Sequence, residues 1–126
     1  MKTIITTNKA PQPIGPYSQA VLVGNTLYTS GQIALHPESG ELILDSIEEE
    51  TTQVMKNLKA VLEAANMTFE NVIKASIFIS DMNSFGAINA IYGNYFEEAT
   101  APARETVEVA NLPKFVNVEI SVIAVK

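Results

Sequence analysis

The stretch that decides the fold lies near the end of the chain and reads Val116-Asn117-Val118-Glu119-Ile120-Ser121-Val122-Ile123-Ala124-Val125. Its β-branched residues favour extended backbone, so it predicts a strand over 116–125. Successive side chains of a strand point to opposite faces. One face therefore carries Val118, Ile120, Val122 and Ala124. The other carries Glu119, Ser121, Ile123 and Val125. Toward its end the strand is apolar on both faces, so we expect both faces to be covered.

Upstream of this stretch, the pattern predicts further strands at 20–23, 26–30, 72–79 and 106–109. The first two flank Gly24-Asn25, a pair that tolerates the positive φ of a tight turn, which indicates a hairpin.

Two helices are also predicted. The first begins after Ser46, which has capping-box spacing to Glu49, and ends near Asn66. The second is capped within residues 81–84. Its apolar stripe is Phe85, Ile88, Ile91, Tyr92, Tyr95 and Phe96. Gly86 and Gly93 lie inside this helix, and we interpret them as points where a neighbouring element approaches closely.

Length and composition bound the class of protein. The chain has 126 residues, of which 47% are hydrophobic, and this predicts a single domain over 1–126 with its own core. A net charge of −6 disfavours nucleic acid as a partner. There is no Cys, and the single His, His36, leaves little basis for a metal site. No segment is typical of a membrane span or a signal peptide, so we expect a soluble, cytoplasmic protein.

The order of the elements predicts the architecture. Strands, helix, strand, helix and strands indicate an α+β fold, and two helices can cover only one face of a sheet of four to six strands. The other face is partly apolar, so we expect a homo-oligomer to cover it. Glu119 lies on the partner-facing side if the helices cover the Val118 face, and in the helix layer otherwise.

Arg104 is the first candidate for chemistry. It follows Pro102 at the start of a predicted strand. Its guanidinium offers a planar fork of donors that matches a carboxylate. The alternative is a surface arginine that pairs with Glu105 or Glu108 and has no further role.

Glu119 is the second candidate, because it interrupts an otherwise apolar strand. A carboxylate there must face water, a charge partner or a ligand. In a pocket it could orient or deprotonate a water molecule. The alternative is an exposed glutamate that protects an edge strand from aggregation.

Weaker signals come from Tyr17, Ser30, Gly31 and Asn89. Tyr17 follows Gly15-Pro16 and is either a packing anchor or the wall of a pocket. Gly31 allows backbone N–H groups to approach a ligand, whereas Ser30 lacks the motif of a nucleophile. Asn89 shares the stripe of the second helix, as a core amide or a ligand donor.

Six collinear blocks connect these residues to a known family. They are 10–11 with 14–19, 28–33, 57–60, 78–82, 102–104, and 112–114 with 118–120. At this spacing the chain resembles the RidA (YjgF/Rid) family of reactive intermediate deaminases, from about residue 3 to 125. No single block is as specific as the six in order.

The resemblance implies a fold of the chorismate-mutase-like (YjgF) type, with a mixed β-sheet and two helices packed on one face. It implies a homotrimer whose sheets form a central barrel-like core, with a ligand cleft between subunits. It also implies hydrolysis of 2-aminoacrylate and 2-iminobutanoate, which enzymes dependent on pyridoxal phosphate (PLP) such as dehydratases release, to a 2-keto acid and ammonia. The protein itself is expected to need no cofactor and no metal.

The resemblance also assigns roles to residues. Arg104 matches the carboxylate-binding arginine, Glu119 the glutamate that positions water, and Tyr17 the cleft tyrosine. The expected substrate-binding residues are Arg104, Ser30, Gly31, Asn89 and Thr106. The sequence departs from the family in two places, where Glu105 replaces a serine after the arginine and Ser121 replaces a second glutamate. On a regular strand Glu105 points away from Arg104 and Thr106.

Two other functions stay open at this point. The same arginine-lined cleft would serve a non-catalytic protein that binds 2-keto acids and regulates a partner. RNA cleavage is a third possibility, because some members of the family are described as ribonucleases, but the net charge of −6 disfavours it.

Overall fold

The computed structural model describes residues 1 to 126 and contains six strands and two α-helices. In chain order they are β1 (Lys2–Ile5), β2 (Ala20–Val23), β3 (Thr26–Thr29), α1 (Ile47–Ala64), β4 (Val72–Ile79), α2 (Phe85–Gly93), β5 (Ala103–Glu108) and β6 (Val118–Val125). The strands form one sheet in the order β1-β2-β3-β6-β4-β5, antiparallel except for the parallel pair β4–β5. This mixed sheet with two helices confirms the predicted α+β class.

Helix α1 forms where the sequence predicts it. The Ser46 hydroxyl oxygen accepts a hydrogen bond from the Glu49 N–H at 3.0 Å, and the first turn is acidic, which suits the positive end of the helix dipole. The buried stripe of the helix is Val54, Met55, Leu58, Val61 and Leu62. Just beyond the helix, Asn66 takes a positive φ of 58° and turns the chain away.

The core lies between the helices and one face of the sheet. On β6 the buried side chains are Val118, Ile120, Val122 and Ala124. Because the alternate residues of β6 stay partly exposed, the helices cover the Val118 face. Glu119 therefore lies on the uncovered face of the sheet, which resolves the alternative that the sequence left open.

The parallel pair explains where α2 sits. Parallel neighbours need a crossover connection, and α2 supplies it between β4 and β5. In this pair Arg104 is in register with Ala75, which is fully buried on the helix face. Arg104 therefore emerges on the helix side of the edge strand β5, where α2 packs.

Three element boundaries differ from the prediction. Strand β1 was not predicted, because four residues are too few to show a period in the sequence. Strand β5 begins at Ala103 rather than at residue 106, since pairing with β4 extends it through a charged stretch. Strand β6 begins at Val118 rather than at residue 116, since Asn117 is occupied by other hydrogen bonds.

Helix α2 is shorter than predicted and its glycines are not contact points. It ends at Gly93, and the rings of Tyr95 and Phe96 pack instead on Phe69, with centroids 5.1 and 5.4 Å apart. The interpretation of Gly86 and Gly93 as points of close approach is wrong, because a Cβ added at either would meet nothing within 4 Å.

A buried carboxylate anchors the start of β6. Glu50 in α1 is fully buried, and one of its oxygens accepts hydrogen bonds from the N–H groups of Asn117, at 2.8 Å, and Val118, at 3.2 Å. Its other oxygen accepts from the Asn117 side-chain amide at 2.8 Å. These bonds satisfy the buried charge and hold β6, with Glu119 on it, against the helix layer.

The uncovered face of the sheet is rich in apolar side chains. They are Ile4, Val21, Val23, Tyr28, Phe78, Val107, Ile123 and Val125. Ile4 on the edge strand β1 is 48% exposed, and Tyr28 on the interior strand β3 is 50% exposed, a large fraction for a tyrosine in mid-sheet.

Two kinds of feature are absent from the fold. None of its helices combines the length and the apolar character that crossing a membrane requires. Nowhere do three or more His, Asp or Glu side chains come together in a group that could hold a metal ion.

Candidate functional site

The sheet divides the predicted site residues into two groups. Arg104, Thr106 and Asn89 lie on the helix side of β5, and we call this group, with the neighbouring rings of Phe85 and Tyr92, the arginine half-site. The second group surrounds a cavity beside Glu119, and we call it the glutamate half-site. It consists of Tyr17, Ser30, Gly31 and Glu119. Within one chain the structure does not bring Arg104 and Glu119 together.

The glutamate half-site is a cavity of about 410 Å³. Residues of the N-terminal loop, of the segment after β3 and of β6 line this cavity. Gln32 pairs with Ile120 through two backbone hydrogen bonds, so residues 30–32 run alongside Glu119. Lys114 is the one cation that lines the cavity, and it sits in a turn where its φ is 56°.

Glu119 is half-buried in this cavity without an opposite charge. Burial disfavours the ionised form and raises the pKa of its carboxyl group. No lysine or arginine nitrogen lies within ion-pair distance, since the single salt bridge of the chain joins Lys74 and Glu105. A carboxyl group with a raised pKa is a stronger proton acceptor, when ionised, than a carboxyl group with its ordinary pKa.

Gly31 makes room for this carboxyl group. A Cβ at position 31 would lie 2.7 Å from the Cδ atom of Glu119, closer than side-chain atoms normally approach. The sequence predicted that Gly31 lets backbone N–H groups approach a ligand, which stays a prediction, and the structure places the Glu119 carboxyl group against this glycine.

Tyr17 and Ser30 complete the wall of the cavity. The Tyr17 ring is 52% exposed and its backbone N–H donates to the carbonyl of Gly15 at 2.8 Å, so the Gly15-Pro16 corner directs it. The Ser30 hydroxyl donates to the Ser18 carbonyl. That bond occupies its proton, which agrees with the absence of a nucleophile motif.

Two buried amides that the sequence did not single out hold the loops of the cavity. The Gln19 side chain accepts from the Thr7 N–H at 2.7 Å and donates to the carbonyls of Thr7 and Pro11 at 2.9 and 2.8 Å. The Asn57 amide donates to the carbonyls of Ile33 and Leu35, both at 3.0 Å. For Asn57 there was a usable signal, because it interrupts the apolar stripe of α1. For Gln19 the one signal was its place in the block 14–19 that carries the family resemblance, which assigned it no role.

The arginine half-site presents a free guanidinium. Arg104 is the only arginine in the chain, and its Nη1 donates to the Asn89 side-chain oxygen at 2.7 Å. The guanidinium carbon lies 5.0 Å from the ring centre of Tyr92 and 5.5 Å from that of Phe85. Of the five donors of an arginine, one is therefore used within the chain.

The neighbouring carboxylates are engaged elsewhere, so the alternative of a paired surface arginine is wrong for this chain. Glu105 points to the uncovered face, where it pairs with Lys74 at 3.0 Å and accepts from the Ser76 hydroxyl. These hydrogen bonds, first from Ser76 and then from Lys74, lower the pKa of Glu105. Glu108 accepts from the Met82 N–H at 2.6 Å. Neither contacts Arg104.

Thr106 shares the face of Arg104, as the sequence predicted. Its hydroxyl oxygen is shielded from solvent and has no hydrogen-bond partner in the chain.

Fold and site together define a class: a small α+β protein that offers a free guanidinium on one face of its sheet and a desolvated carboxyl group on the other. The model of the family described as endoribonuclease L-PSP matches residues 7–126. The chain belongs to this family, which also carries the names RidA, YjgF and RutC, and the resemblance seen in the sequence is confirmed.

Relatives with assigned names are close along their whole length. A RutC family protein of Synechocystis is 53% identical over 97% of this chain and 95% of its own. The 2-iminobutanoate/2-iminopropanoate deaminase of Mus musculus is 48% identical over 100% of this chain and 93% of its own. The crystal structure of E. coli TdcF with bound serine is 41% identical, covers 98% of both chains and has a TM-score of 0.92.

Proposed function

We propose that this protein is a hydrolytic deaminase of reactive 2-imino acids, which converts 2-iminopropanoate (the tautomer of 2-aminoacrylate) and 2-iminobutanoate into 2-keto acids and ammonia. The observation that carries the proposal is the pair of unmatched groups, an unpaired guanidinium and a desolvated carboxyl group. Mammalian relatives of 47–48% identity bear the name of this activity.

In this proposal the two half-sites come from neighbouring copies of the chain. They lie on opposite faces of one sheet, so a substrate of three or four carbons cannot touch both within one copy. The apolar uncovered face, which includes Glu119, favours burial against another copy. A homotrimer, with its sheets around a central barrel-like core and a site at each subunit interface, satisfies both requirements.

Arg104 anchors the substrate carboxylate. Four of its donors are free, and two of them on one edge of the planar group match the two carboxylate oxygens. Hydrogen bonds of this charge-assisted kind contribute about 1.5–3 kcal/mol. Asn89 holds the opposite side of the guanidinium and so fixes the direction of the fork.

In this proposal Glu119 activates the attacking water molecule. The ionised carboxylate accepts a proton from water as the water oxygen bonds to the C=N carbon, and the C=N π pair moves to the nitrogen, which takes a proton from solvent and becomes an amine. The carboxyl group then gives its proton to that amine. The C–N bond breaks, ammonia leaves with its electron pair, and the hydroxyl oxygen forms the C=O bond as it releases its proton to solvent. General acid–base catalysis of this kind accelerates reactions by about 10²–10⁴. Tyr17, Ser30 and Gly31 enclose the space in which this occurs.

The substrate chemistry suggests the metabolic setting. Enamine and imine acids of this kind are released by PLP-dependent dehydratases of serine and threonine, so this protein would act next to such enzymes in the cytoplasm. The proposed steps call on no cofactor or metal of its own.

The family description as endoribonucleases is a weaker candidate here. A net charge of −6 repels a phosphate backbone. The single histidine, His36, belongs to neither half-site, and its Nδ1 accepts the N–H groups of Glu38 and Ser39 in an exposed turn, at 3.2 and 3.4 Å.

A coupled assay tests the proposal. Threonine dehydratase generates 2-iminobutanoate, and release of 2-ketobutyrate is followed by absorbance with and without the protein. We expect the protein to accelerate release above the spontaneous rate, the Glu119→Ala variant not to do so, and a Lys59→Ala variant on the exposed side of α1 to match the wild type.

Binding of 2-ketobutyrate by calorimetry separates the alternative. If the wild type binds this keto acid but leaves the rate of its release at the spontaneous level, the protein is a carboxylate-binding regulator and the deaminase proposal is wrong.

A further inference from the structure

Helix α2 presents a stripe of three side chains to Arg104. Phe85, Asn89 and Tyr92 occupy positions i, i+4 and i+7 and so share one face of the helix. Asn89 contributes the hydrogen bond to the guanidinium, and the two aromatic rings flank it at 5.5 and 5.0 Å. Arg104 is thus held by a helix face rather than by a carboxylate.

The Tyr92 ring is the more rigid of the two aromatic walls. Tyr92 is 5% exposed, and its ring packs on that of Phe96 with centroids 4.7 Å apart. Phe85 is only partly buried. A buried ring that packs on a second ring is restrained, and the face of an aromatic ring attracts a neighbouring cation electrostatically.

The hydroxyl group of Tyr92 is not the part of the side chain that acts on the Arg104 guanidinium. It is buried and has no hydrogen-bond partner in the chain. Burial also raises the pKa of the phenol, against a smaller lowering by Arg104, so the ring stays neutral at physiological pH. The stacking surface of the ring is therefore the part of Tyr92 that acts on Arg104.

We propose that Tyr92 is a positioning residue that fixes the plane of the Arg104 guanidinium through its ring, so that the free fork meets a ligand carboxylate in one orientation. This inference rests on the proposed function, because it assigns Arg104 the task of binding the substrate carboxylate. Within one chain Tyr92 and Glu119 lie on opposite sides of the sheet, so we expect the ring to act on carboxylate binding rather than on the proton transfers at Glu119.

The test compares Tyr92→Leu, which removes the ring, with Tyr92→Phe, which keeps it. For Tyr92→Leu we expect KM for 2-iminobutanoate and the dissociation constant of 2-ketobutyrate to rise roughly tenfold, the loss of one cation–π contact of ordinary strength. We expect kcat to change less than twofold and its pH profile to stay in place. Tyr92→Phe should match the wild type in both constants.

A matched control removes a ring of the same size that does not contact Arg104. Tyr95 packs on Phe69 at 5.1 Å in the same aromatic region, so Tyr95→Leu should lower thermal stability and leave KM unchanged. Equal rises of KM in both leucine variants would overturn the inference. So would an unchanged KM in Tyr92→Leu, or a rise in Tyr92→Phe as large as in Tyr92→Leu.

A measurement on the wild type covers the case in which Tyr92→Leu does not fold. Because Arg104 is the only arginine, the protein gives one arginine Nε–H signal in a proton–nitrogen correlation spectrum. Ring currents from the flanking rings should shift this signal upfield, and the shift should persist in Tyr92→Phe. An unshifted signal would overturn the inference.

The two proposals fail in different ways. If Arg104→Ala leaves KM and the rate unchanged, the proposed function is wrong and the inference falls with it. If Arg104→Ala abolishes carboxylate binding while Tyr92→Leu binds as the wild type does, the inference alone is overturned.

Discussion

The arginine half-site and the glutamate half-site place their ionisable side chains in opposite environments, one exposed to solvent and one half-buried. Arg104 lies exposed on an edge strand, is flanked by aromatic rings, and carries its charge openly to solvent. Glu119 lies half-buried in a cavity made by loops, and its burial penalises the charge. In the proposed function this difference separates two tasks. An anchor for a carboxylate must always be charged, whereas a group that moves protons must change its charge readily.

The two half-sites also depend on different kinds of structure. The arginine half-site is built on one strand and one helix that the β4–β5 crossover brings together. The glutamate half-site is built from irregular segments that Gln19 and Asn57 tie down by backbone hydrogen bonds. Regular elements can carry an exposed side chain without help, whereas loops need buried amides to hold them in one conformation.

The largest expected effect comes from separating the two halves. Arg104→Ala removes the anchor and Glu119→Ala removes the proton acceptor, so each variant alone should release 2-ketobutyrate at the spontaneous rate. Refolded together in equal amounts, the two should recover roughly a quarter of wild-type activity, because each site would draw one residue from each of two randomly chosen copies. The coupled dehydratase assay measures this recovery.

Each variant refolded alone is the control for that experiment. If the mixture stays as inactive as the separate variants while size-exclusion chromatography shows mixed oligomers, the half-sites do not meet across copies. The two half-sites could then not be described as parts of one shared site.

A smaller effect with a defined pH dependence is expected for Glu119→Gln. The folded-state pKa of Glu119 is raised above its ordinary value, so the folded protein binds more protons than the unfolded chain between these two values. The free energy of unfolding therefore falls as pH rises through that window. The uncharged glutamine avoids this loss, so the variant should melt at a higher temperature than the wild type at pH 7 and show no such advantage at pH 4.

Activity should move in the opposite direction. In the wild type kcat/KM should rise with pH as Glu119 ionises. The Glu119→Gln variant should lower kcat by about 10²–10⁴ and should lack this rise of kcat/KM with pH. Thermal melts by circular dichroism and pH–rate profiles measure the two effects. A variant that loses activity without gaining stability at pH 7 would show that Glu119 is not desolvated in the assembled protein.

The sequence predicted the regular parts of the molecule better than the cavity. Helix α1 was predictable because Ser46 and the apolar stripe are local signals, and β6 because its residues alternate around buried valines. The pairing of Arg104 with Asn89 depends on a crossover between β4 and β5, and residues 15 positions apart carry no local sign of that contact. The resemblance to the RidA family assigned roles to Arg104 and Asn89. It did not indicate that, within one chain, the sheet separates them from Glu119.

The smallest effect tests how closely the glutamate half-site is packed. An added methyl group in Gly31→Ala would lie 2.7 Å from the Cδ atom of Glu119, so the carboxyl group must move aside. Since a displaced catalytic group loses alignment, we expect kcat/KM to fall roughly tenfold. The fold should be affected little, because Gly31 does not adopt the left-handed conformation and the atoms that the new methyl group displaces are at the end of a flexible side chain.

Gly93→Ala is the matched control, since nothing lies within 4 Å of its added Cβ. This variant should leave the rate unchanged while gaining up to about 1 kcal/mol in stability. Rates for both variants come from the dehydratase assay and stabilities from urea unfolding. Equal rates for Gly31→Ala and the wild type would mean that the position of the Glu119 carboxyl group does not limit the reaction.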